Sequence, residues 1–137
     1  MKRSAPRYNC VLAMLPDNFR KFQAGPDPFG RTWDVEFRWL QNGITIRHAD
    51  TVDVKFEAAP AGEDKYEHVI ALRHPDLLEL SRETGHALTD AWSLKLAAMH
   101  MLHMIDTAED IEKTLVTAEL GDLRRYAAAL TEHREAA

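Results

Sequence analysis

Strict alternation of apolar and polar side chains is the clearest pattern in the first half of the chain. In residues 32–40 every second side chain is a large apolar one, and charged side chains fill most of the positions between, which is typical of a half-buried β-strand. The dipeptide Asn42-Gly43 follows, and it is the one that most readily forms a two-residue type I′ turn. The sequence therefore predicts a β-hairpin in which Trp33 to Leu40 pairs with a strand that begins at Ile44.

Three further segments contribute to the predicted sheet. The alternation restarts at Ile44 and runs to Phe56, which exceeds the usual strand length of about 5–6 residues, so we expect a bend in residues 48–51. Residues 8–15 and 67–73 are short and largely apolar, and each predicts one more strand. The stretch at 16–31 is rich in Pro and Gly and predicts a long connection, with one helical turn around Phe19 and Phe22.

The second half of the chain changes to helical spacing. His74-Pro75-Asp76 is suited to the first turn of a helix that ends near Thr84, before Gly85. Residues 88–105 are apolar at twelve of eighteen positions, and the remaining polar and charged positions favour a central buried helix over a membrane span.

Two more helices are predicted after this one. Residues 107–110 resemble a capping box that opens a helix with Ile111 and Leu115 inward. After Gly121, one apolar stripe has the spacing i, i+3, i+4 and i+7; it comprises Leu123, Tyr126, Ala127 and Leu130. The predicted fold is thus α+β, an antiparallel meander of about four strands covered by three to four C-terminal helices. Residues 1–137 form one domain, in which 1–7 are a basic arm and 132–137 a frayed end.

Composition agrees with one globular domain. The 137 residues are 45% hydrophobic and 28% charged, which is ordinary for a folded protein. A net charge of −5 gives no overall attraction to nucleic acid, so no nucleic-acid partner is expected. Cys10 is the only cysteine, which excludes an intramolecular disulfide and fits a reducing compartment. The apolar run before Pro16 is too short for a signal peptide, so we expect a cytoplasmic protein with no membrane partner.

A histidine and methionine cluster in the central helix is one candidate for chemistry. His100, His103 and Asp106 follow one another at three-residue steps, so two imidazoles and a carboxylate could reach one metal ion. The spacing matches neither the His-Glu-x-x-His pattern of zinc peptidases nor the Glu-x-x-His pairs of di-iron bundles. The favoured interpretation is that both histidines are hydrogen-bonded at the edge of a buried face, and no cofactor is predicted.

A polar pair in the predicted second strand is another candidate. His48 and Asp50 occupy the phase of the apolar positions around them, so in a continuous strand both would point inward and require a polar cavity. Such a pocket would lie between the sheet and the central helix, and its lining would comprise Trp33, Trp39, His48, Asp50 and Trp92. A bend at 48–51 would instead turn the pair to solvent, and the length of the strand favours the bend.

No nucleophile motif or glycine-rich phosphate loop is present, so the leading hypothesis is a small non-catalytic interaction module that forms a homodimer. The narrow stripe of Leu123, Tyr126, Ala127 and Leu130 would leave apolar helix surface exposed, and such patches are usually association sites. One alternative is that Phe19, Phe22 and Phe29 fold over the helices and close the core within one chain. The other is a small-molecule-binding or enzymatic domain that uses the tryptophan pocket.

Overall fold

A computed structural model describes residues 15–43 and 50–136 of the chain. Within these ranges the strands come first and the helices later, which confirms the predicted α+β class. In chain order the elements are β1 (Lys21–Ala24), β2 (Trp33–Gly43), β3 (Thr51–Pro60), β4 (Tyr66–Arg73), α1 (His74–Thr84), α2 (Asp90–Thr107), β5 (Leu115–Ala118) and α3 (Leu120–Ala136). The predicted basic arm at 1–7 and residues 8–14 of the predicted first strand lie outside the described ranges.

The described strands form one sheet in the order β1-β2-β3-β4-β5. Consecutive strands from β1 to β4 are antiparallel, whereas β5 runs parallel to β4. The parallel pair arises because α1 and α2 lie between these two strands and carry the chain back along the sheet. The predicted meander thus has an additional strand at each edge, β1 and β5.

The predicted antiparallel pairing of the strand at 33–40 with the next strand is confirmed, but the turn predicted at Asn42-Gly43 is wrong. Asn42 pairs with Val52 and Gly43 pairs with Thr51, so both residues lie within the β2–β3 ladder and the connection falls after them. The observed register places apolar side chains of the two strands opposite each other, with Phe37 facing Phe56. Burial of these cross-strand pairs decides the register over the local preference of the dipeptide.

A β-bulge in β2 changes which face the later residues occupy. Phe37 pairs with Phe56 but Trp39 pairs with Lys55, so the register shifts at Arg38. One extra residue reverses the side-chain alternation beyond it. Trp39 therefore lies on the outer face of the sheet, 37% exposed, with the Lys55 ammonium 5.7 Å from its ring centroid. The prediction that Trp39 shares the inner face with Trp33 is wrong.

The edge strand β1 replaces the predicted helical turn near Phe19 and Phe22. Phe22 and Ala24 are buried while Lys21 and Gln23 are exposed, which is the two-residue period of a strand. Pairing with β2, in which Phe22 lies opposite Val35, lets Phe22 join the core without a helix.

The predicted capping box at 107–110 marks the end of a helix and not the start of one. Thr107 is the last residue of α2, and Ala108 follows with a φ of 62°. The Thr107 hydroxyl donates to the carbonyl of His103 and accepts from the N–H of Glu109. The chain then forms β5, so the predicted helix with Ile111 and Leu115 facing inward is wrong; Leu115 is 61% exposed.

The other helices agree with the sequence pattern. Gly85 ends α1 with a φ of 73°, and Thr89 caps α2 by accepting from the N–H of Trp92. Helix α2 lies across the inner face of the sheet, where it contacts β1 to β4, and α3 contacts α1 and α2. In the described ranges no helix is both long and apolar enough to cross a membrane.

Candidate functional site

The histidine cluster of α2 is held by hydrogen bonds within the protein. His100 and Tyr126 are each 5% exposed, and the Nδ1 of His100 lies 2.7 Å from the Tyr126 hydroxyl. Burial lowers the pKa of His100 to about 4, against the attraction of Asp122, and burial also raises the pKa of Tyr126. Both side chains are therefore neutral at pH 7, and their bond joins α2 to α3.

The second histidine has a different partner. His103 Nε2 lies 3.0 Å from Glu109 Oε1, at the more exposed end of the cluster. Among residues 15–43 and 50–136, no three His, Cys, Asp or Glu side chains come together as metal ligands, so His100, His103 and Asp106 do not form such a group. The geometry agrees with the hydrogen-bonded interpretation of the two histidines.

The residues predicted to line a tryptophan pocket do not converge. Trp33 and Trp92 are buried in the core, Trp39 lies on the opposite face of the sheet, and Asp50 is exposed. Trp92 stacks against His86 with ring centroids 4.6 Å apart. His48 lies outside the described residues. The bulge within β2 thus separates Trp39 from the side chains that simple alternation would place on the same face.

Asp27 organises the loop before β2, and the sequence interpretation missed it. Its Oδ1 accepts from the N–H groups of Phe29 and Arg31, and its Oδ2 accepts from Arg31 Nε and Trp33 Nε1. Burial alone would raise the pKa of Asp27, but these four donors lower it to about 2. An aspartate in a Gly- and Pro-rich loop before a strand is the signal for such a side-chain turn.

His68 is a fully buried histidine on β4. In the structure neither of its ring nitrogens has a hydrogen-bond partner, and its ring lies 4.5 Å from that of Tyr66. Burial lowers the pKa of His68; backbone groups of Lys113 and Ala58 lie near the ring and oppose this shift, although neither meets the geometry of a hydrogen bond to a ring nitrogen. The neutral ring therefore behaves as part of the aromatic core, at a cost for its unpaired nitrogens.

A groove of about 560 Å³ separates α1 from α3. Leu80 and Ala127 contribute apolar surface to it, and Glu83 and Arg124 form a two-bond ion pair beside them, at 3.0 and 2.7 Å. The hydrogen bond from Arg124 lowers the pKa of Glu83. Glu83 and Arg124 bind each other, so neither charge is left unpaired to orient a ligand in the groove.

The stripe predicted to form a dimer interface is largely buried within one chain. Leu123, Tyr126 and Ala127 are at most 5% exposed, and Leu130 packs partly buried against the core. Phe22 is buried and Phe19 packs against the core, whereas Phe29 is 74% exposed. The core is thus closed on this side by the chain itself, and Leu123, Tyr126 and Ala127 present little surface to another copy.

The two edges of the described sheet differ in charge. The β1 edge includes Lys21 with Arg20 just before it, whereas β5 consists of Leu115, Val116, Thr117 and Ala118 and has no charged side chain. Leu115 is 61% exposed and Val116 is 8% exposed. Charged side chains on an edge strand discourage pairing with other chains, so β5 is the less protected edge.

The ladder between β4 and β5 fixes which backbone groups of β5 face outward. The N–H of Val69 donates to the carbonyl of Thr114 at 2.6 Å, and Ile70 lies opposite Val116. Bonding alternates along a parallel strand, so Val116 directs its N–H and C=O toward β4. Leu115 and Thr117 direct theirs toward the outer edge, where no further strand lies among residues 15–43 and 50–136.

Comparison with known proteins adds no function to this geometry. The chain matches no protein-family model, no curated protein and no solved structure. The function is therefore inferred from the described residues themselves.

Proposed function

We propose that this protein is a non-catalytic association module that binds a second copy of itself through the free edge of β5. The observation that carries the proposal is the uncharged edge strand with its exposed side chain, Leu115. An edge strand presents a row of backbone donors and acceptors to any chain that approaches it. The charge of Lys21 protects β1 from pairing with other chains, whereas β5 contains no charged side chain.

The hydrogen bonds of the buried polar side chains support a structural role for these residues. Perturbed pKa values often mark catalytic sites. Here Asp27 uses its carboxylate to hold a loop, and His100 and Tyr126 bond to each other between two helices. Each of these groups has its partner inside the fold, as expected for a scaffold.

The size of β5 determines how strong the association should be. A pairing of two four-residue strands buries less than the roughly 1,200 Å² of a standard stable interface. We therefore expect a transient dimer with a dissociation constant on the order of 0.1 mM. Such a complex forms and dissolves with protein concentration.

Sedimentation equilibrium from about 5 to about 500 µM tests the proposal, since this range brackets a weak dimer. The average mass of the wild type should rise toward that of two chains. Leu115→Lys places a charge at the edge and should remain a monomer throughout. Leu78→Lys is the matched control, because Leu78 is also exposed, at 47%, but lies on α1.

Two outcomes contradict the proposal. One is a wild-type protein that keeps the mass of one chain over the whole range. The other is a dimer abolished by Leu78→Lys but not by Leu115→Lys, which would place the contact on the helical layer. Far-ultraviolet circular dichroism of each variant verifies that the substitution leaves the fold intact.

A further inference from the structure

We infer that the two copies pair β5 with β5 in antiparallel orientation, with Val116 of one copy directly opposite Val116 of the other. This inference rests on the proposed function and adds to it the orientation and register of the partner. The resulting assembly has a two-fold axis at Val116 and one sheet that continues from copy to copy.

The backbone of β5 selects this register. Leu115 and Thr117 are the strand residues whose N–H and C=O groups point to the free edge. In an antiparallel pair, residues that exchange both of their hydrogen bonds lie opposite each other. When Leu115 lies opposite Thr117 of the second copy, the outward N–H and C=O groups of both residues are hydrogen-bonded in both chains. Val116 of one copy then lies opposite Val116 of the other, and these two residues form no hydrogen bonds with each other.

The charges that flank β5 favour the same register. It brings Lys113 opposite Glu119 of the second copy, and the reverse pair forms across the axis. Both side chains are exposed, at 58% and 70%. If the register shifts by two residues, Lys113 lies opposite Thr117 or Leu115 lies opposite Glu119. Either shift separates the opposite charges of Lys113 and Glu119.

The pair across the axis also extends ion pairs that already exist within each chain. Lys113 contacts Asp110 at 3.1 Å, and Glu119 contacts Arg73 at 3.0 Å. In the dimer these four charges form a row of alternating sign, half from each copy. A network of this kind contributes more than an isolated surface ion pair.

Burial of Leu115 follows from the same arrangement. Its side chain lies on the outer face of the sheet, beside Val69 of β4. Across the axis it faces Thr117 of the second copy and lies diagonal to the other Leu115, within reach of a long side chain. The exposed apolar side chain of the strand is thereby covered.

Disulfide trapping tests the register directly. In a Cys10→Ser background, Val116→Cys places two sulfhydryls at a pair whose Cα atoms are about 4.5 Å apart, within disulfide range. Leu115→Cys and Thr117→Cys are the controls, because each would face its own copy only in a shifted register. We expect Val116→Cys to form covalent dimer under mild oxidation at least about tenfold faster than either control.

Charge exchange provides a second test that needs no cysteine. Lys113→Glu and Glu119→Lys each create like-charged pairs on both sides of the axis, so each alone should weaken dimerisation about tenfold. An equimolar mixture of the two variants has opposite charges at both pairs and should recover wild-type association as a heterodimer. Sedimentation equilibrium measures both effects.

The outcomes separate the inference from the proposed function. If Leu115→Lys abolishes the dimer but Leu115→Cys or Thr117→Cys crosslinks fastest, the edge is used in another register and this inference is overturned alone. Failure of the mixture to recover association overturns it as well. A wild-type protein that stays monomeric overturns the inference together with the proposed function.

Discussion

The indole Nε1 of Trp33 donates a hydrogen bond of 2.9 Å to Oδ2 of Asp27, and both side chains are buried. The bond joins the first residue of β2 to the loop that precedes it. We predict that Asp27→Asn destabilises the fold, because in either orientation the NH2 group of the amide would face two hydrogen-bond donors that the carboxylate oxygens now accept from. The melting temperature should fall by roughly 5–10 °C.

Asp34→Asn is the matched control for this substitution. Asp34 also accepts one side-chain bond, from Gln23, but at an exposed position on β2. Its melting temperature should stay within about 2 °C of the wild type. Equal effects of the two substitutions in differential scanning calorimetry would contradict the role assigned to Asp27.

The buried His100 predicts a specific dependence of stability on pH. Burial is the main reason that the pKa of His100 falls from its ordinary value of 6.5 to about 4 in the folded protein. The charge of His103 lowers this pKa further, whereas the carboxylates of Asp122, Glu109 and Asp110 raise it. Above pH 6.5 this group adds no pH dependence. As pH falls from 6.5 toward 4 the unfolded chain binds the proton first, so the free energy of unfolding decreases by about 3 kcal/mol.

Urea unfolding at pH 7.5 and pH 4.5 measures this loss. His100→Gln keeps a group that can bond to the Tyr126 hydroxyl but cannot titrate. Its loss of stability between the two pH values should be smaller than that of the wild type. Identical pH profiles for the two proteins would remove His100 as the cause.

His68 predicts a stabilising substitution. Because neither ring nitrogen has a partner, replacing the ring by an apolar side chain removes a desolvation cost. We expect His68→Leu to raise the free energy of unfolding by about 1 kcal/mol at pH 7. The gain should grow below pH 6.5, where the unfolded wild type becomes protonated, since burial lowers the folded pKa.

His68→Gln is the control, because it retains a buried polar group and should bring no gain. Chemical denaturation measures the free energy of unfolding of both variants. A net loss of stability in His68→Leu would show that the nitrogens of His68 do have partners in the folded protein.

Two loop glycines should respond differently to alanine. Gly25 has a φ of 118°, and a Cβ there would lie 2.8 Å from the carbonyl oxygen of Arg31. Gly30 has a φ of 83° with open space around it. Gly30→Ala should therefore cost about 1 kcal/mol for backbone strain alone, and Gly25→Ala at least about 2 kcal/mol. Equal costs in urea unfolding would be inconsistent with the close approach at Gly25.

The elements predicted well from sequence are those whose pattern repeats several times. Helix α2 is buried at most positions along its length, and the first half of β2 alternates more and less buried side chains, so in both elements the tertiary contacts and the sequence pattern agree. The strands β1 and β5 have only four residues each, so their two-residue alternation of burial is too brief to be recognised in the sequence. The bulge at Arg38 is a single extra residue that leaves no mark in the composition, yet it moves Trp39 to the other face.

The candidate site was not predictable for a related reason. Leu115 has the spacing of a buried helical residue, and only its pairing beside Val69 makes it part of a strand. That pairing depends on where α1 and α2, which connect β4 to β5, place the start of β5 beside the sheet. Local preferences contain no information about such a return.

The parallel pairing of β4 with β5 also sets an order of assembly. Val69 and Leu115 are neighbours in the sheet although two helices separate them in the chain, and closing such a long loop is slow. During synthesis the outer edge of β4 stays open until β5 has emerged. Until then the backbone donors and acceptors along that edge of β4 are unpaired, so this is the interval in which β4 is most exposed to pairing with a wrong strand.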